Sequence, residues 1–68
     1  MAEFYVEINP QSNGEHIVHK SDCSILPSKD AIHYLGAIAS CGSAVKKASG
    51  VYRQVNGCSQ CSVACHTA

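Results

Sequence analysis

The first apolar residues of the chain alternate with polar ones. Phe4, Val6 and Ile8 fall on one face of an extended segment, and Tyr5 and Glu7 fall on the other. A period of two in residues that favour β structure predicts a half-buried strand over these positions.

A cluster of turn-forming residues follows at positions 9–14 and ends in an Asn-Gly pair. Residues 15–20 then carry Ile17 and Val18 in a second short extended run. Two extended runs separated by turn formers predict a β-hairpin with a long loop.

A third strand is predicted over residues 32–38, which are again rich in apolar side chains. The pattern places Ile32, Tyr34 and Ile38 on one side of this strand. Gly36 weakens the prediction because glycine disfavours strand interiors.

From position 41 the apolar residues recur at helical spacing. Ser40 is a suitable helix N-cap, and Lys46 and Lys47 would point outward. The apolar stripe of this predicted amphipathic helix is formed by Cys41, Ala44, Val45, Ala48, Val51 and Tyr52.

The last part of the chain has weaker patterns. Residues 54–57 are predicted to leave the helix through a second Asn-Gly turn, and residues 62–66 to form a short helical turn. The sequence therefore predicts one small α+β domain over residues 1–68, with a hairpin, a short third strand, one main helix and a terminal helical turn.

Composition adds the expectation of a covalent or metal staple. The chain has 68 residues, and domains of this size have marginal cores, while its five cysteines are far above ordinary usage. The amino terminus has neither the basic region nor the apolar region of a signal peptide, so we expect a cytoplasmic location. In a reducing cytosol, and with an odd number of cysteines, a metal is favoured over disulfides.

Two residue pairs have the spacing of metal ligands. They are His19-x3-Cys23 and Cys58-x2-Cys61, and each short gap lets two side chains converge on one ion. Three thiolates and one neutral imidazole would close a four-coordinate zinc site and leave it near one net negative charge. The sequence thus predicts a structural zinc ion that joins the hairpin to the segment after the helix.

Cys65 and His66 offer an alternative ligand set. With Cys58 and Cys61 they form Cys-x2-Cys-x3-Cys-His, which could chelate a metal from local sequence alone. That arrangement would leave the earlier His-x3-Cys pair without a role. Cys41 is most simply a small buried apolar residue, but a reactive thiol at a helix amino terminus or a pairing with Cys65 stays open.

Charge gives little support for nucleic-acid binding. The chain has five Lys and Arg residues against five Asp and Glu, and its net charge is zero with neutral histidines. Phosphate recognition needs a basic patch, which this composition does not favour. The longest uncharged apolar stretch is too short and too polar to span a bilayer, so we expect no membrane role.

The order of these parts resembles the Ada-like metal-binding domains. The matching residues are His19 and Cys23 for the first ligand pair and Cys58 and Cys61 for the second, and the likeness spans about positions 4 to 62. The resemblance implies a small fold in which zinc lies between a turn after the hairpin and a Cys-x2-Cys after the helix.

The repair activity of those domains is not implied. The Ada repair domain uses four cysteines, one of which accepts a methyl group from DNA phosphotriesters. Here His19 replaces the first cysteine, which lowers the negative charge that makes a zinc thiolate nucleophilic. The chain also resembles a group of small bacterial proteins to which no activity is assigned, through segments that include Val55-Asn56-Gly57-Cys58 and Cys65-His66-Thr67.

Three functions are consistent with these features. The first is a non-enzymatic, zinc-stabilised binding or adaptor module with an unknown protein partner. The second is a thiol-based redox or alkyl-transfer protein that uses Cys58 and Cys61, Cys41 or Cys65. The third is metal trafficking, with Cys65 and His66 as exchange ligands.

Overall fold

The computed structural model describes residues 1–67, which form a four-stranded sheet with one α-helix, so the predicted α+β class is confirmed. The spatial order of the strands is β3-β1-β2-β4. Two 3-10 turns, Lys29–Ala31 and Val63–Cys65, complete the structure. The main elements are β1 (Ala2–Glu7), β2 (His16–Lys20), β3 (Ile32–Ile38), α1 (Cys41–Ser49) and β4 (Val55–Gly57).

The predicted hairpin is formed by β1 and β2, which pair antiparallel with Tyr5 opposite His19 and Val6 opposite Val18. Phe4 and Val6 are buried in the core as the alternation predicts. Ile8 is not buried there, because β1 ends one residue earlier. The Ile8 side chain is 42% exposed.

The third strand has the predicted bounds, but a bulge changes which residues face the core. Phe4 pairs with Gly36 while Tyr5 pairs with Tyr34, so Leu35 is the extra residue on β3. Gly36 adopts φ +123°, a conformation that favours glycine. Leu35 therefore enters the core and Tyr34 is exposed, while Ile38 packs against the core. The predicted placement of Tyr34 and Ile38 on the same side of the strand is not observed.

Helix α1 begins as predicted, with the Ser40 hydroxyl accepting a hydrogen bond from the Ser43 N–H. The helix ends at Ser49, and the predicted apolar stripe ran further, to Val51 and Tyr52. The helix covers one face of the sheet, and the buried core consists of Phe4, Val6, Val18, Leu35, Ala44 and Ala48.

The segment predicted as an Asn-Gly turn is instead the short strand β4, so that prediction is wrong. It pairs parallel with β2, with Ile17 opposite Asn56 and Val18 opposite Gly57. Three residues are too few to show a hydrophobic period, and parallel pairing depends on partners distant in sequence. This strand brings the start of the Cys-x2-Cys segment alongside the end of β2.

Gly57 is required for close backbone approach. It has no positive φ, but a Cβ atom added there would lie 2.8 Å from the carbonyl carbon of Cys65. We expect Gly57→Ala to lower the free energy of unfolding by about 1–3 kcal/mol, because backbone must move to relieve the clash.

A matched control is Gly42→Ala in the first turn of α1, where an added Cβ meets only the Ser40 hydroxyl at 3.9 Å. That variant should be neutral or more stable by up to about 1 kcal/mol because alanine favours helix. Chemical denaturation of both variants measures the difference, and equal stabilities would contradict the close approach at Gly57.

Candidate metal centre

Two turns that follow neighbouring strands supply the candidate ligands. His19 lies near the end of β2, and Cys23 follows in a turn closed by the Cys23 N–H and the Lys20 carbonyl, 3.1 Å apart. Cys58 and Cys61 follow β4, and the Cys58 N–H donates to the Val18 carbonyl at 2.9 Å. The parallel pairing of β2 and β4 therefore sets both turns at the same end of the sheet.

The structure brings together all four residues of the predicted quartet. One potential ligand atom from each of His19, Cys23, Cys58 and Cys61 lies within 4.8 Å of the others. The Cys23 Sγ lies 3.5 Å from the His19 Nδ1 and 3.8 Å from the Cys58 Sγ, and the Cys61 Sγ lies 3.9 Å from that Nδ1. A tetrahedral ion with metal–ligand bonds of ~2.0–2.3 Å places its ligands about 3.3–3.8 Å apart. These three separations are close to that spacing.

The His19 imidazole is oriented by a partner that the sequence did not reveal. Its Nε2 lies 2.6 Å from the Glu7 Oε2, and the residue is only 1% exposed. With Nε2–H donating to that carboxylate, Nδ1 is left unprotonated and faces the thiols. Carboxylates that orient ligating imidazoles in this way are common in metal sites.

The sequence carried a partial signal for this contact. The alternation in β1 puts Tyr5 and Glu7 on one face of the strand, away from the face of Phe4 and Val6. Because Tyr5 pairs with His19, the His19 side chain lies on the same face of the sheet as Glu7. The pairing register was needed to place the two side chains together, and the sequence alone did not provide it.

The thiols differ in acidity because their hydrogen bonds differ. Burial by itself raises the pKa of Cys58, but hydrogen bonds from the backbone N–H groups of Cys61 and Gln60 and contacts with the neighbouring thiols outweigh it, so the pKa lies below the ordinary thiol value. Burial and the Cys23 thiol raise the pKa of Cys61 to about 12, although the Lys20 N–H opposes this. At neutral pH the metal-free Cys61 thiol therefore keeps its proton, which a bound metal ion must displace.

We expect Glu7→Ala to weaken metal affinity by about 10–100-fold, measured with Zn²⁺ by competition with a chromogenic chelator. The imidazole would lose the acceptor that fixes its tautomer and ring orientation. Glu7→Gln keeps an acceptor oxygen and should show a smaller loss.

The control is Glu3→Ala on the same strand. Glu3 is exposed and accepts a hydrogen bond from the Tyr34 hydroxyl rather than from His19. The affinity of the Glu3→Ala variant for Zn²⁺ should stay within about twofold of that of the unsubstituted protein, because the Glu3 side chain contacts no candidate ligand. Equal affinities for all three variants would show that Glu7 does not orient the ligand.

The alternative ligand set is not formed. Cys65 is joined by a disulfide to Cys41, and the His66 Nδ1 donates to the Gly57 carbonyl at 3.0 Å. Cys41 is thus neither a simple buried apolar residue nor a free thiol. The pairing of Cys41 with Cys65, which the sequence left open, is what the structure contains. The free thiols of residues 1–67 are Cys23, Cys58 and Cys61.

The sequence favoured a metal over a complete set of disulfides, and the structure contains one disulfide beside the candidate metal ligands. That preference followed from an expected reducing compartment and from the odd number of cysteines. The three cysteines outside this disulfide lie with His19 in a cluster that could hold a metal ion.

No helix within residues 1–67 has both the length and the apolar character needed to cross a bilayer.

Comparisons with models of protein families, with curated proteins and with solved structures find no match to this chain.

Proposed function

We propose that this chain is a non-enzymatic binding module stabilised by one zinc ion, and that its partner is another protein. The observation that carries the proposal is the convergence of His19, Cys23, Cys58 and Cys61, whose potential ligand atoms lie within 4.8 Å of one another. Three thiolates and one imidazole form a donor set typical of structural zinc. Such a site is closed, with no position left for water or substrate.

The small core supports a structural role for the metal. Of its six buried apolar residues, two are alanines, so α1 contributes little apolar volume to the sheet. A metal that joins the ends of β2 and β4 would supply the stability that this core lacks. The order of hairpin, ligand pair, helix and Cys-x2-Cys also supports placing the chain among Ada-like domains, which we include in the proposal.

A protein partner is favoured by the charge beside the centre. A cavity of about 330 Å³ borders His19 and Cys58 and is lined by Glu7 and Glu15 and by the apolar side chain of Ile17. None of its lining residues in the described part of the chain is Lys or Arg. Nucleic-acid sites are strongly positive, and the described lining of this cavity offers none of the Lys and Arg side chains that they use. We propose that the protein acts in the cytoplasm.

One observation favours a second candidate function. The lowered pKa of Cys58 would favour a reactive thiolate, as a redox or alkyl-transfer protein requires. However, Cys58 is buried, and a nucleophile must be reached by its substrate. The second candidate is therefore less well supported than the structural role.

Alkylation rates separate the two functions. Elemental analysis should first find one zinc per chain in protein purified under reducing conditions. In that protein, iodoacetamide should react slowly and at similar rates with Cys23, Cys58 and Cys61, because each of these thiolates would coordinate the zinc ion. After the zinc is removed, all three should react faster.

If one of Cys23, Cys58 and Cys61 reacts far faster than the other two in the zinc-loaded protein, the result would support the thiol chemistry and contradict the structural role. A chain that is folded and free of metal under reducing conditions would contradict the zinc proposal as a whole.

A further inference from the structure

The disulfide between Cys41 and Cys65 is not part of the metal centre, yet it holds the same segment of the chain. Cys41 is the first residue of α1, and Cys65 ends the 3-10 turn that follows Cys61. The bond joins residues 24 positions apart and fixes the end of the chain to the helix.

One continuous set of turns links the ligand pair to the disulfide. The Ser62 N–H donates to the Cys58 carbonyl at 2.9 Å, and the Cys65 N–H donates to the Ser62 carbonyl at 2.9 Å. Ser62 itself is buried. The segment from Cys58 to Cys65 would therefore be held at one end by the metal and at the other by the disulfide.

Cys65 also contacts the residue that precedes the first ligand of this pair. Its carbonyl carbon would lie 2.8 Å from a Cβ at Gly57, and the next residue, His66, donates a hydrogen bond to the Gly57 carbonyl. Movement of Cys65 away from α1 would remove this packing against Gly57, the residue directly before Cys58.

We propose that the Cys41–Cys65 disulfide is a redox-sensitive clamp that sets the affinity of the metal site. The proposal rests on the zinc-binding function proposed above and adds its regulation. While the disulfide is intact, Cys58 and Cys61 are held close to their metal-binding positions, and less conformational entropy is lost when the ion binds. After reduction, the segment is tied only by hydrogen bonds and packing, so the metal is held less tightly.

In the cell a dithiol reductant would supply the redox step. One thiolate of the reductant attacks the Cys65 Sγ, the bond to the Cys41 Sγ breaks, and its electron pair leaves on Cys41, where the amino-terminal end of α1 favours negative charge. The second thiolate of the reductant then attacks the mixed disulfide and releases Cys65. Two electrons and two protons pass to the cysteine pair, and the reductant becomes a disulfide.

The compartment then determines the state of the clamp. Glutathione and thioredoxin systems keep cytosolic thiols reduced, so in the cytoplasm the clamp would be open at rest and would close under oxidising conditions. Closure would make the protein retain its metal more strongly when free thiols elsewhere are being oxidised.

The test compares zinc dissociation constants for the full chain in two states. Competition with a chromogenic chelator is performed on the oxidised protein and on the same protein after reduction by a trialkylphosphine, with the disulfide state checked by mass spectrometry. We expect reduction to weaken zinc binding by about tenfold or more. The double variant Cys41→Ser/Cys65→Ser should match the reduced protein without any reductant present.

The control variant is Ala64→Ser, an exposed position in the same 3-10 turn that leaves the disulfide intact. Its oxidised form should bind zinc as the unsubstituted protein does. If the double variant fails to fold, the zinc affinities of the oxidised and the reduced unsubstituted protein still show whether the disulfide sets the affinity of the metal site.

Equal affinities in the two redox states would overturn the clamp and leave the zinc proposal intact. Tighter binding after reduction would also overturn it, because the intact disulfide would then weaken the metal site instead of supporting it. An oxidised protein that binds no zinc would overturn both proposals.

Discussion

Cys58→Ser is expected to leave the chain largely unfolded at neutral pH. Cys58 is the buried candidate ligand that directly follows β4, and its loss would leave three protein donors where a structural zinc site has four. Binding of structural zinc contributes about 10–16 kcal/mol in zinc-finger peptides, which matches or exceeds the ~5–15 kcal/mol stability of most domains. Amide dispersion in a two-dimensional NMR spectrum, recorded with excess Zn²⁺, measures the outcome.

The matched control is Ser59→Ala, the exposed residue next to Cys58. It should retain the folded spectrum and one zinc per chain. Removal of zinc from the unsubstituted protein by a strong chelator should reproduce the Cys58→Ser spectrum, and added Zn²⁺ should restore the folded one. A well-folded Cys58→Ser protein would show that the core and the disulfide are sufficient without the metal.

Phe4→Ala is expected to lower the free energy of unfolding of the zinc-loaded protein by about 3–5 kcal/mol. Phe4 is the largest fully buried side chain and is part of the core cluster with Val18 and the two alanines of α1. Small neighbours cannot fill the cavity left by the ring. Thermal or chemical denaturation at saturating Zn²⁺ measures the loss, and the folded fraction should still bind one zinc.

Ile8→Ala is the control for this substitution, since the sequence placed Ile8 on the same face as Phe4 but the structure leaves it exposed. Its effect should stay within about 0.5 kcal/mol, as for most surface substitutions. If Ile8→Ala cost as much as Phe4→Ala, β1 would continue past Glu7 and Ile8 would belong to the core.

Features encoded by neighbouring residues could be predicted from the sequence. Ser40 as an N-cap followed by a helical period predicted the start of α1, and turn formers between two apolar runs predicted the hairpin. The quartet with His19 could also be proposed, because each ligand pair has a short spacing of its own. These signals lie within a few residues and need no knowledge of the tertiary structure.

Features that depend on distant partners could not be predicted. Strand β4 is three residues long and is defined by its pairing with β2, so it looked like a turn. The bulge at Leu35 adds one unpaired residue to β3. Residues before and after the bulge therefore do not follow one alternation of faces, which a strict period of two assumes. The contact of Glu7 with His19 depends on the hairpin register, and the disulfide depends on how the end of the chain folds back onto α1.

We propose above all that one zinc ion is held by the imidazole of His19 and by the thiolates of Cys23, Cys58 and Cys61. Zinc K-edge X-ray absorption of the zinc-loaded protein tests it most directly, because it counts nitrogen and sulfur ligands separately. The expected spectrum has one nitrogen at about 2.0–2.1 Å and three sulfurs at about 2.3 Å. A first shell with four sulfurs, or with two or more nitrogen or oxygen ligands, would contradict this ligand set.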